Sequence, residues 1–291
     1  MSRILVTGIT SPLGQAVGRK LKAEGHQVVG TVRSSRISSS GLPADELVAL
    51  DLENKRSFTN INGGFDAFVH VAAASEGTAE ELMTITGLGT LHLVERAEYL
   101  GVQRIIHISG MDAFGDISTP VVSEQTPPSY QNPYGVAKWA AESFVAGATR
   151  SVEGLSIRCP AIAGPKHHRH FLARTLNQMS QQHSEVKVSN PKFLFNNIVH
   201  ENIVAEFILN LIALKNLPKV QSVTIGSKNP IPFCEIIEYL ARATRFEGNI
   251  NWVPSAKPPF SIDFSTAVKW GYAPISVTDT IHHWIMKTLQ R

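Results

Sequence analysis

Through the first half of the chain, short apolar runs alternate with segments whose apolar residues recur every three to four positions. Residues 4–7, 27–32, 47–52, 67–71 and 104–109 are runs rich in β-branched and aliphatic side chains, too short and too continuous for amphipathic helices. Between them, residues 15–24 and 80–99 carry the helical spacing. Strands that are apolar on both faces and separated by helices predict βαβ units around a parallel sheet buried on both sides.

Beyond Gly164-Pro165 the texture changes. A basic, histidine-bearing stretch, Lys166-His167-His168-Arg169-His170, leads into a polar helical segment, residues 222–226 return to a strand pattern, and prolines at 230, 232, 254, 258 and 259 punctuate the tail. The pattern predicts a doubly wound α/β domain over residues 1–164, to which 195–226 returns, and a smaller lobe built mainly from 165–291. Residues 34–40, rich in serine, read as a loop.

The formal charge of +3 is spread along the chain without a run that would track a phosphate backbone, so no nucleic-acid partner is expected. Two cysteines, Cys159 and Cys234, both in apolar contexts, argue against a disulfide framework or a metal site and fit a reducing compartment. No stretch reaches the ~18 apolar residues of a membrane span, and the expectation is a cytoplasmic protein with no membrane partner.

The first strand runs directly into Gly8-Ile9-Thr10-Ser11-Pro12-Leu13-Gly14 and then a helix. A dinucleotide pyrophosphate needs this order, because it requires close backbone approach and the N–H groups of a helix start. Ser11 stands where a middle glycine is usual; its Cβ crowds the approach, while its hydroxyl is a candidate phosphate donor. The second strand ends Thr31-Val32-Arg33-Ser34, with Arg36 close behind and no carboxylate. An arginine there accommodates a 2′-phosphate, so NADP (NADPH) is expected over NAD.

In Asn132-Pro133-Tyr134-Gly135-Val136-Ala137-Lys138, Tyr134 and Lys138 are four apart at the start of a helical segment and share one face. A free phenol ionises near pH 10, and a neighbouring ammonium favours the phenolate, so the pair is a candidate acid/base for interconverting a ketone and an alcohol.

The ordered pieces Thr7-Gly8…Gly14, Asp51-Leu52, His70-Val71-Ala72-Ala73, Tyr134-Gly135-Val136-Ala137-Lys138, Arg158…Gly164-Pro165, Val199-His200-Glu201-Asn202-Ile203 and Trp270-Gly271-Tyr272-Ala273-Pro274 resemble the extended short-chain dehydrogenase/reductase family of sugar-nucleotide epimerases, dehydratases and reductases. The resemblance implies a Rossmann-type fold with a C-terminal substrate lobe. It implies cofactor contacts from Thr7, Gly8, Thr10, Ser11, Pro12, Leu13 and Gly14, from Asp51 and Leu52 beside the adenine, and from Val71, Ala72, Ala73, Ile108, Pro160 and Ile162. Lys138 would also hold the nicotinamide ribose, and Tyr134 would be a further cofactor contact. It further implies a homodimer through residues 80–99 and 134–147.

Two positions depart from the family pattern. The hydroxyl residue expected to bond the reacting oxygen falls at Gly110, with Ser109 one residue away as the candidate replacement. The usual diphosphate-contacting asparagine falls at Ala161, which leaves Lys166 and Arg169 as candidate diphosphate contacts. Ala74, Met111, Asn196 and His200 complete the expected substrate set. The reading is an NADPH-dependent reductase of a nucleotide-linked 4-keto-6-deoxy sugar. A sugar-nucleotide epimerase, a simple carbonyl reductase and a non-catalytic NADP-binding sensor or scaffold are the alternatives.

Overall fold

The computed structural model describes residues 1–33, 41–129, 132–148, 152–167, 170–255 and 257–289. Its centre is a seven-stranded sheet in which every neighbouring pair is parallel. The strands are β1 (Arg3–Thr7), β2 (Gln27–Val32), β3 (Glu46–Ala49), β4 (Ala67–His70), β5 (Arg104–Gly110), β6 (Glu153–Cys159) and β7 (Ser222–Thr224), in spatial order β7-β6-β5-β4-β1-β2-β3. The order reverses between β1 and β4, and in an open α/β sheet the crevice beyond the carboxyl ends at such a reversal is where ligands bind.

The helices are α1 (Pro12–Ala23), α2 (Gly89–Leu100), α3 (Pro133–Ala146), α4 (Phe171–Ser180), α5 (Glu201–Ala213), α6 (Phe233–Thr244) and α7 (Val277–Leu289). On one face of the sheet, Ile106 and Ile108 of β5 and Leu155 and Ile157 of β6 share a core with Leu13 and Val17 of α1 and Phe207 and Ile208 of α5. On the other, Ile105 packs with Leu93 and Val94 of α2 and Val145 of α3. A third core ties Leu172 and Met179 of α4 to Ile237 of α6 and Trp284 of α7, beside the sheet rather than on it. Short two-stranded pieces stitch this part together, among them Ala161–Ala163 with Ile198–His200 and Glu185–Val188 with Asn249–Trp252.

Two predicted elements differ in detail. The third strand stops at Ala49 and not at 52: Asp51 N donates to Ser57 Oγ rather than to a neighbouring strand, and Asp51 Oδ1 accepts from Glu53 N, which turns the chain. The helix predicted over 80–99 is interrupted by a π-helical turn, Met83–Leu88, between a short helical turn, Ala79–Leu82, and α2. Single π-turns concentrate at functional sites.

Candidate active site

The turn after β1 is built by two glycines and one serine. Gly8 has a φ of +69°, and a Cβ on it would stand 3.0 Å from Ala72 N; a Cβ on Gly14 would stand 2.1 Å from Gly8 O. Ser11 caps α1 by accepting from Gly14 N at 3.0 Å, and its hydroxyl proton goes to Gly8 O at 2.8 Å. The hydroxyl expected to donate to a phosphate thus shapes the turn itself. The start of α1 bears no acidic residue in its first turn, which suits an anion.

A cavity of about 270 Å³ opens at this turn, lined by Gly8, Thr10, Ser11, Thr31, Arg33, Leu50, Asp51, Leu52, Glu53, Val71, Ala72, Ala73 and Ile85. The structure thus brings nine of the expected cofactor residues to one wall. Thr31, Leu50, Glu53 and Ile85 are additions, and Ile85 lies on the π-turn. Thr7 lies just behind the wall with its oxygen fully engaged, and Leu13 is turned into the core at 4% exposure, so neither side chain faces the cavity. Pro12 opens α1. Ile108 packs in the core of the α1 face, with Ile162 against it, and neither these nor Pro160 lines the cavity. Arg36 and Arg169 lie outside the described residues. A dinucleotide fits these features: two glycines leave backbone exposed to a pyrophosphate, and Arg33 and two carboxylates stand where an adenosine ribose would lie.

One strand away, Asn132 caps α3 by accepting from Gly135 N at 2.7 Å, with Pro133 at the first helical position. A Cβ on Gly135 would come within 2.4 Å of Asp112 O, so this glycine lets the start of α3 close onto the end of β5. Tyr134 is half-buried and Lys138 is 4% exposed, its ammonium 5.9 Å from the centre of the Tyr134 ring and donating to Ile108 O at 2.9 Å. Burial lowers Lys138 to about 8, opposed by the fields of Cys159, Glu142 and Asp112.

The next turn of α3 holds an ion pair that the sequence reading missed. Glu142 is fully buried and receives Arg158 Nε at 3.0 Å and Nη2 at 2.7 Å, while the guanidinium lies 4.2 Å over the Phe114 ring. The signal was present, because Glu142 follows Lys138 by four residues and Arg158 stands between the apolar Ile157 and Cys159 of a buried strand, but neither had an assigned role.

Side chains alternate along β5, so Ser109 points to the same face as Ile105 and His107, under α3. It is 3% exposed and among the described residues its hydroxyl has no hydrogen-bond partner. The hydroxyl expected at the reacting oxygen is thus enclosed under α3 with no bond of its own to the described residues. Gly110 has ordinary extended backbone at φ −143°, and the atom nearest to a Cβ placed on it is Asp112 Oδ2, at 3.6 Å. The exposed Asp112 carboxylate therefore borders the space of the missing hydroxyl.

The expected substrate residues that the structure describes sit in different local settings. Asn196 has both amide atoms bonded to Ile262, donating to its carbonyl at 2.8 Å and accepting from its N–H at 2.9 Å, and is a buried splint, not a cleft residue. His200 caps α5 by accepting from Asn202 N, lies 4% exposed against His283 of α7, and is lowered to about 4, chiefly by burial. Ala74 is pinned by its backbone to Thr86, Met111 opens a single 3₁₀ turn after β5, and Lys166 is exposed beyond Gly164.

Among the described residues no group of three His, Cys, Asp or Glu is placed to hold a metal, and no helix is long and apolar enough to cross a membrane.

Sterol demethylase protein B of Methylococcus capsulatus is 33% identical over 116 residues, 38% of this chain and 35% of that protein. The 2'-dehydrokanamycin reductase of Streptomyces kanamyceticus is 30% identical over 162 residues, 55% of this chain and 43% of that protein. The chain thus spans between about a third and a half of the length of these curated relatives. The solved structure of MoeE5 in complex with UDP-glucuronic acid and NAD superimposes with a TM-score of 0.83 over 99% of both chains at 19% identity, a likeness of fold. Residues 4–198, which contain the glycine turn, the Tyr134–Lys138 helix and six of the seven sheet strands, match the family model, and the chain belongs to the NAD dependent epimerase/dehydratase family.

Proposed function

We propose that this chain is an NADPH-dependent reductase of a keto group, acting on a nucleotide-linked 4-keto-6-deoxy sugar. The observation that carries the reading is Lys138: its ammonium is held to β5, on the same face of α3 as Tyr134 and one strand from the cavity that contains Arg33. When bound, the nicotinamide supplies hydride. Tyr134 supplies the proton for the new alcohol, and the Lys138 ammonium stabilises the phenolate that remains. Arg33 meets the 2′-phosphate, while Lys166 and Arg169 meet the substrate diphosphate. Likeness to a protein named as a dehydrokanamycin reductase supports the reductive direction. A homodimer through residues 80–99 and 134–147 belongs to the same reading, supported by the exposure of Leu88 and Tyr99 at 40% and 79%.

The test is a panel of nucleotide 4-ketosugars incubated with NADPH, followed by loss of nicotinamide absorbance and identification of the product. Reduction of one member supports the reading. Reduction of small uncharged ketones alone replaces it with a simple carbonyl reductase, interconversion without net NADPH loss replaces it with an epimerase, and NADPH binding without turnover replaces it with a sensor.

A further inference from the structure

His70 ends β4, immediately before the Val71, Ala72 and Ala73 wall of the cofactor cavity, and is 1% exposed. Both ring nitrogens are bonded: Nδ1 to Thr7 Oγ1 at 2.7 Å and Nε2 to Thr90 Oγ1 at 3.0 Å. The donors can be assigned by counting. Thr7 Oγ1 accepts from Val71 N at 3.1 Å and Ala72 N at 3.2 Å, which uses both of its acceptor positions, so its proton is the one shared with His70 Nδ1. Nδ1 is then the acceptor, and Nε2 carries the proton and donates to Thr90. The Thr90 hydroxyl passes on to Thr86 O at 2.6 Å, and Thr86 Oγ1 grips Ala74 twice, accepting from its N–H at 3.1 Å and donating to its carbonyl at 3.2 Å.

This chain of donors ties together the end of β1, both ends of the segment after β4, and the π-turn that delivers Ile85 to the cavity. The Gly8 turn lies directly against Ala72, so a shift in one is felt by the other. We infer that His70, held as the Nε2–H tautomer, is a positioning residue that sets the cofactor-facing wall of residues 71–74 against the glycine turn. The inference rests on the dinucleotide reading of the cavity. A proton on Nδ1 would point at a Thr7 oxygen with no acceptor position left. His107 of β5, stacked on His70 at 5.4 Å and bonded to Ser156 Oγ, and Lys138 of α3 face the ring from the neighbouring elements. Burial first, and then the Lys138 charge, hold His70 down to about 3, so the wall stays set throughout the neutral range.

Long-range ¹H–¹⁵N NMR of the histidine rings in the free protein reads the tautomer, and calorimetric titration with NADP⁺ and NAD⁺ reads the wall. Expected are a protonated Nε2 and bare Nδ1 from pH 5 to 8. In Thr86→Val and His70→Phe, with cooperative melting retained, the Kd for dinucleotide should rise roughly tenfold or more, because buried partners are left unpaired beside the site. His70→Asn, which keeps an acceptor for Thr7, should recover part of the loss. A protonated Nδ1, or a Kd in both variants within twofold of wild type, overturns the inference. If His70→Phe does not fold, Thr86→Val decides alone, since it keeps the side-chain shape and releases only Ala74. A wild-type chain that binds neither dinucleotide overturns the cofactor reading and this role with it. The ligand-free tautomer measurement separates that result from a wrongly assigned relay.

Discussion

Lys138 donates its ammonium to Ile108 O across 2.9 Å, a bond that fixes the charge beneath Tyr134 at the cost of burying it. Burial lowers its pKa to about 8, while Cys159, pushed up to about 12 by its own burial, stays a neutral thiol near pH 8. The carboxylates of Glu142 and Asp112 oppose the lowering and favour the ammonium. The ammonium is present below about 8 and lost above it, so kcat/KM should fall close to tenfold per pH unit on the alkaline side. Glu142→Gln should move that limb to lower pH. A pH profile flat to pH 10 refutes the assignment.

Removing the phenol while keeping the ring isolates the proton donor. Tyr134→Phe should lower kcat by about 10²–10⁴ with the NADPH dissociation constant unchanged. Steady-state rates and a binding titration check the two halves separately, and near-full activity excludes Tyr134 as the acid.

Arg33 shares its cavity with Asp51 and Glu53, and cofactor preference follows from which charges win there. A charge-assisted contact to a 2′-phosphate contributes about 1.5–3 kcal/mol, so NADPH should bind at least several-fold more tightly than NADH, and Arg33→Ala should erase the difference. Equal affinities in the wild-type protein mean that the carboxylates, and NAD, prevail.

Gly110 has room for a side chain and a backbone any residue can adopt. Gly110→Ser should fold normally and raise kcat by about tenfold to a hundredfold, as a hydroxyl donor is restored beside the reacting carbonyl, whereas Gly110→Ala should not. Equal rates for the two variants would show that another group already serves.

The Glu142–Arg158 pair is 0% and 4% exposed in its side chains, and loss of one partner strands the other's charge in the core. Glu142→Gln and Arg158→Met should each lower the free energy of unfolding by about 3–5 kcal/mol, read from denaturant midpoints. A loss below about 1 kcal/mol would mean that water reaches the pair.

What the sequence determined by itself is what depends on neighbours along the chain. An apolar run followed by Gly8 and an α1 start capped by Ser11 is a local object, and so are the four-residue spacing of Tyr134 and Lys138 and the arginine closing β2; each was readable and each sits where its pattern placed it. The tertiary structure decided everything that depends on partners far apart in sequence. Ser11 was readable as a hydroxyl but not as one whose proton belongs to Gly8, and Asn196 looked like a cleft residue until Ile262, 66 positions later, occupied both its amide atoms. The His70 tautomer needs Thr7 and Thr90, and the charge on Lys138 depends on the burial that β5, β6 and α3 impose together. A hydrogen bond or a desolvated charge is set by whichever groups converge on it, and convergence across a parallel sheet is written in the packing rather than in any local run of residues.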